Sequence, residues 1–156
     1  MNHMKPKSYS QSAFTLVELM IVVVIIGLVA AISIPNMISA RESSRNGRFI
    51  GDLRTANHSF IIYAMETGTY PSDETPGILP AGMSEYMGSL DWTEPTSIGG
   101  NWDWDYQVFG ITAGVSVYRP SSDLSQLARI DSTIDDGDLG TGNFRSRADG
   151  YVSILE

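Results

Sequence analysis

One uninterrupted apolar run near the N-terminus constrains this chain more than any other feature. The 21 residues from Phe14 to Ile34 carry a single charge, the carboxylate of Glu18. As an α-helix, with a rise of about 1.5 Å per residue, this run is about 30 Å long, which matches the hydrocarbon core of a bilayer. The sequence therefore predicts a membrane-spanning helix.

The charges that flank the run predict its orientation. Residues 1–48 carry a net charge of +3, so the rest of a chain with net charge −8 carries −11. Because basic flanks stay cytoplasmic, Lys5 and Lys7 place the short N-terminal leader inside and the acidic C-terminal part outside. Basic residues between 41 and 48 favour the opposite orientation. We interpret them as lying on a continuation of the helix that crosses the membrane together with the C-terminal domain.

Glu18 separates three interpretations of the run. A carboxylate near the middle of a spanning helix costs on the order of 3 kcal/mol on insertion scales, so a segment that only inserts would avoid it. A secretory signal cut near residues 31–33 and a passive membrane anchor remain alternatives. The third interpretation gives Glu18 a positively charged partner.

The residues around Glu18 carry a resemblance. The motif Phe-Thr-Leu-x-Glu begins at Phe14, and an uncharged helix that contains Gly27 and reaches Pro35 follows it. This segment resembles the start of type IV prepilins and type II secretion pseudopilins. In that family a membrane prepilin peptidase removes a basic leader and the new terminal phenylalanine is methylated. The resemblance places the cut between Ala13 and Phe14, although the family usually has glycine where this chain has Ala13.

The resemblance also implies a role for Glu18. Cleavage would create an α-amine on Phe14, which is positively charged at neutral pH. Phe14 and Glu18 lie four residues apart on one helix face, about 6 Å apart along the axis. A neighbouring helix shifted by a comparable distance would bring its Phe14 amine to this Glu18, and the family is thought to register its subunits in this way. We therefore expect both residues to act in assembly.

Two residues weaken the long helix. Pro35 lacks the donor for the carbonyl of Ala31, and Gly27 costs about 1 kcal/mol relative to alanine. A static proline kink and a local melting of residues 27–35 on passage from membrane to filament both remain open.

Beyond Pro35 the pattern becomes amphipathic. Apolar residues recur at helical spacing from Phe49 to Tyr63, and Gly68 and Pro71 end the pattern. We predict one helix from about Phe14 to Met65, about 75 Å long, followed by a connecting loop over 66–100 with a short helix near 83–87.

Short elements follow the loop. Trp102 to Val108 alternates as a half-buried strand, and a second strand over 111–118 pairs antiparallel to it. A short helix with Ser122 or Asp123 as its N-cap and a last strand over 151–155 complete the chain. The pattern predicts the α+β class, with a long helix packed on a small antiparallel sheet, and the resemblance implies that this fold is type IV pilin-like. We divide the chain into a cleaved leader 1–13, a membrane and assembly helix 14–35, its amphipathic continuation 36–65 and a soluble domain 66–156.

Few residues suggest site chemistry. An acidic stretch offers oxygen ligands for Ca²⁺, but its spacing matches no EF-hand and favours a solvated acidic turn; its members are Asp131, Asp135, Asp136 and Asp138. The tryptophans at 92, 102 and 104 with Tyr106 offer a stacking platform for sugars, but alternating aromatic residues on a strand favour a core or a subunit interface. No cysteine is present, and the two histidines and the acidic balance favour neither catalysis nor nucleic-acid binding. We expect no resident cofactor except, in one interpretation, Ca²⁺.

The resemblance predicts a structural subunit rather than an enzyme. The first hypothesis is a pseudopilin of a type II secretion system, held in the inner membrane by a single helix with its C-terminal domain in the periplasm. The alternatives are a surface type IV pilin for adhesion, motility or DNA uptake, and a binding domain that uses the helix as an anchor. The implied partners are copies of this chain and related pilin-like subunits, the prepilin peptidase, an inner-membrane assembly platform and the membrane.

Overall fold

The computed structural model describes residues 14–156, so the predicted leader and Ala13 lie outside the described residues. The elements, in chain order, are α1 (Leu16–Thr67), β1 (Asn101–Tyr106), β2 (Ala113–Tyr118), α2 (Leu124–Ile134), β3 (Phe144–Arg147) and β4 (Gly150–Ile154). The strands form one antiparallel sheet in the order β1-β2-β4-β3. The predicted α+β class is confirmed.

Helix α1 has 52 residues and remains helical through Gly27 and Pro35. The hydroxyl of Ser39 donates to the carbonyl oxygen of Pro35 at 3.2 Å, inside the turn that follows the proline. At the other end, Gly68 takes a left-handed φ of 83° and its N–H donates to Ala64 O at 2.9 Å. Glycine adopts this conformation without steric cost, which explains why the helix ends where it does.

The chain divides into two compact units, one up to Ala40 and one from Arg41 to Glu156. In the second unit, one face of α1 packs on the inner face of the sheet. Phe49 stacks on Trp102 with ring centroids 5.5 Å apart, and Phe60 stacks on Trp104 at 3.8 Å. These four aromatic side chains are the centre of the core. Of the interpretations of the tryptophans at 92, 102 and 104, the structure supports the core and not the sugar-stacking platform, because all three are buried.

The segment between α1 and β1 contains turns instead of the predicted short helix. Met83 N donates to Pro80 O and Tyr86 N donates to Met83 O, each closing a single turn. Left-handed glycines at 82 and 88 interrupt any longer helical run. Met83 and Met87 nevertheless reach the core, so this loop is packed against the domain.

The outer face of the sheet differs from the prediction of a half-buried β1. Asp103 and Asp105 point away from the core tryptophans, as strand alternation requires, yet both are buried. Their pair partners on β2 are Ser116 and Gly114. Strand β3, which pairs with β4 and was not predicted, contributes Arg147 to the same face. A charged cluster therefore lies where the alternation predicted solvent.

Candidate functional site

The first half of α1 is an apolar surface. Its large side chains from Phe14 to Ile38 are about half to four-fifths exposed, with Phe14 at 80% and Leu16 at 75%. By length and composition this part of α1 could cross a membrane. Exposed apolar surface of this extent marks a site of membrane or protein contact.

Glu18 takes part in a capping box at the start of α1. Its Oε2 accepts hydrogen bonds from Thr15 N at 2.9 Å and from Thr15 Oγ1 at 2.8 Å, and its own N–H donates to Thr15 Oγ1 at 3.2 Å. A Thr-x-x-Glu pair satisfies N–H groups that have no partner inside a helix. The Thr-Leu-Val-Glu spacing already indicated this box, which the sequence interpretation had missed.

The capping box leaves part of Glu18 available. Both Thr15 donors act on Oε2, and within residues 14–156 no donor is found for Oε1. The carboxylate is thus held in one orientation by its own chain while one oxygen stays free for another donor. Phe14 stands four residues before it, immediately ahead of the cap.

Three of the four predicted calcium ligands lie together. Carboxylate oxygens of Asp131, Asp135 and Asp136 lie within 4.8 Å of one another. Asp138 does not join them; its Oδ1 accepts from Gly140 N at 3.0 Å and holds a local turn. The cluster lies at the end of α2, where Asp135 is the C-cap residue.

Asp131 is the unusual member of this trio. It is fully buried, and in the part of the chain that the structure describes neither of its carboxylate oxygens has a hydrogen-bond donor. Burial raises the pKa of Asp131, and the nearby charges of Asp136 and Asp135 raise it further. By contrast, Asp135 Oδ2 accepts from the N–H groups of Asn143 and Phe144, and Asp136 Oδ2 accepts from Thr141 Oγ1 at 2.8 Å.

A buried carboxylate without donors is rare, because such a group costs free energy unless a partner compensates it. Oxygen atoms from several carboxylates in close proximity are the ligands that Ca²⁺ prefers. The residues present therefore fit a calcium ion, with one oxygen each from Asp131, Asp135 and Asp136.

The outer face of the sheet holds a second ionic cluster, which the sequence did not predict. The Arg147 guanidinium pairs with Asp103 Oδ2, and its Nε lies 2.9 Å from Asp105 Oδ2 and 3.1 Å from Ser116 Oγ. The Ser116 hydroxyl also donates to Asp105 Oδ2. Side chains of all three charged residues are at most 5% exposed.

This cluster contains two carboxylates for one guanidinium. Asp103 Oδ1 has no hydrogen-bond partner among the described residues. Burial raises the pKa of Asp103 to about 7, the Asp105 charge adds to the rise, and Arg147 opposes it. Burial likewise raises the pKa of Asp105. When Asp103 is ionised, the cluster therefore carries one negative charge that Arg147 does not neutralise.

Comparison with known proteins supports the interpretation of the helix start. Residues 9–34 match the family model of the prokaryotic N-terminal methylation motif. The type II secretion system core protein G of Pectobacterium carotovorum subsp. carotovorum is 32% identical over 66 residues, which is 42% of each chain. The Pseudomonas aeruginosa protein of the same name is 34% identical over 64 residues, 41% of this chain and 45% of the relative.

These matches span less than half the length of the curated relatives. A solved structure extends the likeness to the fold. The major type IV pilin PilA1 from Clostridium difficile matches 73% of this chain and 96% of its own, with a TM-score of 0.53 and 17% identity. At this identity the likeness concerns the fold alone.

The methylation motif, matched over residues 9–34, includes the exposed apolar start of α1 and its capped glutamate. The apolar part of α1 that follows this motif is also long enough to cross a membrane. The chain is therefore similar in sequence to type II secretion system core proteins G over about two-fifths of its length, and similar in fold to a type IV pilin.

Proposed function

We propose that this chain is a pseudopilin, a structural subunit that polymerises through α1 into a filament of a type II secretion system. The observation that carries the proposal is the exposed apolar surface that begins at Phe14 and includes the single carboxylate of Glu18. Such a surface is stable in lipid or against other apolar helices, but not in water. Its relatives named as secretion core protein G support the choice of system.

Maturation would follow the prepilin route. The prepilin peptidase cuts between Ala13 and Phe14, the Phe14 amine is methylated, and an assembly platform in the inner membrane draws the subunit into a filament of itself and related pilin-like subunits. The acidic domain then lies in the periplasm. The matched methylation motif over residues 9–34 supports this sequence of events.

Assembly would depend on a charge pair between subunits. The Phe14 amine of one subunit approaches Glu18 of its neighbour, where Oε2 is already fixed by Thr15 and Oε1 accepts. Between apolar helices this pair is weakly screened, and its loss leaves an uncompensated buried charge worth several kcal/mol. Gly27 and Pro35 are the positions at which α1 would bend or unwind as the subunit leaves the membrane.

Glu18→Val tests this mechanism. The variant should insert and be processed normally, while the amount of assembled filament falls at least about tenfold, because the Phe14 amine loses its partner. Gel mobility reports processing, and chemical cross-linking in isolated cell envelopes followed by immunoblotting reports assembly. Val17→Ala, an uncharged change one residue away, should assemble normally. Glu18→Val filaments formed at the normal rate would contradict the proposal.

We also propose that the domain binds Ca²⁺ through Asp131, Asp135 and Asp136. The support is the donor-free, buried carboxylate of Asp131 beside two further carboxylates. Bound Ca²⁺ would supply positive charge. The three carboxylates would then tie the end of α2 to the 135–143 segment, whose Asn143 N–H already donates to Asp135.

A second candidate is a surface type IV pilin for adhesion, motility or DNA uptake. The fold likeness to a major type IV pilin favours it. Immunogold labelling of intact cells separates the candidates, since a surface pilus is labelled from outside and a periplasmic pseudopilus is not.

A further inference from the structure

The outer face of the sheet carries a pocket that the assembly mechanism does not use. It has a volume of about 400 Å³. Its walls come from the 73–76 loop, the turn between β1 and β2 with Phe109, and the turn between β3 and β4 with Asp149; Asp103 and Asp105 line it from the strand. The pocket therefore brings together three loops over the buried ionic cluster.

Negative charge dominates this pocket. The lining carboxylates are Asp73, Glu74, Asp103, Asp105 and Asp149, and the lining cation is Arg147. Asp149 has an ion-pair partner that does not line the pocket, since Asp149 Oδ1 lies 3.6 Å from the Arg119 guanidinium. Even with that pair set aside, four carboxylates face one guanidinium. A concave surface with low-dielectric walls concentrates the resulting field.

The structure also shows where positive charge is missing. Asp103 lines the pocket with a side chain that is 5% exposed, and Arg147 occupies only its Oδ2. Its Oδ1 is left without a donor in the described chain. A buried carboxylate oxygen without a donor costs more than a partnered one, so an added cation with N–H groups would be stabilised here.

The walls favour an organic cation over a metal ion. The ring of Phe109 is 53% exposed, and it already carries one guanidinium, that of Arg147, 4.8 Å from its centroid. Aromatic faces beside carboxylates are typical of sites for guanidinium and ammonium groups. A metal ion at Asp103 and Asp105 would instead be repelled by the charge of Arg147, and it would gain no stacking contact with the Phe109 ring.

We propose that this pocket binds a guanidinium or primary ammonium group, whose N–H donors serve Asp103 and Asp73 and whose carbon chain lies against Phe109. The group belongs either to a side chain of a partner protein or to a free polyamine-like molecule. All residues that line the pocket lie outside α1.

Binding is measured on the full chain in uncharged detergent micelles, by NMR shifts of the Trp indole and Phe109 amide signals. The probes are N-acetyl-arginine-methylamide, its neutral citrulline analogue, and agmatine. We expect saturable shifts around Phe109 with the arginine probe and none with citrulline. Tighter binding of the arginine probe identifies a protein side chain as the source, and tighter binding of agmatine identifies a free amine.

Variants locate the site. Asp103→Asn and Asp73→Asn should each weaken binding at least about fivefold, because each removes one carboxylate charge from the pocket. Asp73→Asn keeps the acceptor for Tyr106 N, a 2.9 Å bond, and so tests the charge even if Asp103→Asn fails to fold. Glu85→Gln, the same charge change at an exposed loop residue outside the pocket, should bind normally. Equal binding of citrulline, equal loss in all three variants, or displacement of the arginine probe by Ca²⁺ alone would overturn the proposal.

Discussion

Three carboxylates carry the sites described above, and they differ in the hydrogen-bond donors that each of them has. Glu18 has Thr15 on one oxygen, Asp103 has Arg147 on one oxygen, and Asp131 has no donor among the described residues. A carboxylate in an apolar setting is stable only with compensation. We propose that the compensating partner is a neighbour's amine for Glu18, a cation or proton for Asp103, and a metal ion for Asp131.

Asp103 should make the folded chain less stable as pH rises, which is opposite to the effect of a carboxylate whose pKa is lowered by folding. Its pKa in the folded chain is raised to about 7, against 3.8 ordinarily. Between these values the folded state holds a proton that the unfolded state has released. The free energy of unfolding contributed by this group therefore falls as pH rises through the window, by at most about 1.4 kcal/mol per pH unit, and levels off above about pH 7.

The check is thermal unfolding of the full chain in detergent from pH 4 to 8, followed by tryptophan fluorescence. The melting temperature of Asp103→Asn should fall less over this range than that of the unaltered chain. Parallel curves for the two proteins would show that Asp103 titrates as an ordinary carboxylate.

Asp131 should confer a response to calcium. Saturating Ca²⁺ should raise the melting temperature, with a stabilisation of about 2.7 kcal/mol at a hundredfold excess over Kd, and a chelator should reverse it. Asp131→Asn should remove the response and, because it deletes an uncompensated buried charge, raise the metal-free melting temperature. Asp138→Asn, which alters the acidic neighbour outside the trio, should keep the response. A calcium effect that survives in Asp131→Asn would contradict the assignment.

At the scale of elements, helical and strand periodicity of apolar residues predicted most of the helices and strands. α1, β1, β2, α2 and β4 were all expected, and the N-cap of α2 is Asp123, one of the two residues proposed. Periodicity succeeds where one face of an element is apolar. It fails for β3, whose Phe-Arg-Ser-Arg sequence has a single apolar residue, and for the covered face of β1.

The outer-face cluster could not be predicted for a related reason. Alternation assigns Asp103 and Asp105 to solvent, and their burial depends on a loop without any period and on Arg147 from a distant strand. Neither contact leaves a local signal. The capping box of α1 is different, because Thr15 and Glu18 stand at the expected spacing and could have been identified.

Packing of α1 on the sheet should depend on its buried aromatic residues. Phe60 is fully buried, stacked on Trp104 and edge-on to Trp92 at 5.5 Å. Phe60→Ala should lower the free energy of unfolding of the 41–156 unit by about 3–5 kcal/mol. Urea unfolding followed by tryptophan fluorescence measures this. Met65→Ala, on the same helix but 80% exposed, is the matched control and should change little. Equal effects of the two substitutions would contradict the packing described.

At the scale of the whole molecule, the chain combines a folded domain with an apolar helical segment that it does not bury itself. Residues from Arg41 onward have their own core, whereas the large apolar side chains up to Ile38 are exposed. In the function proposed above, lipid covers this segment before assembly and neighbouring helices cover it afterwards. Membrane storage and polymerisation would then be two ways of covering the same surface.

We propose that the chain is a processed subunit whose new N-terminus at Phe14 serves assembly. Mass spectrometry of the chain isolated from native membranes tests this most directly. We expect an N-terminal peptide that begins with N-methylated Phe14 and retains the apolar run. A chain that keeps residues 1–13, or one cut within residues 31–33, would contradict it.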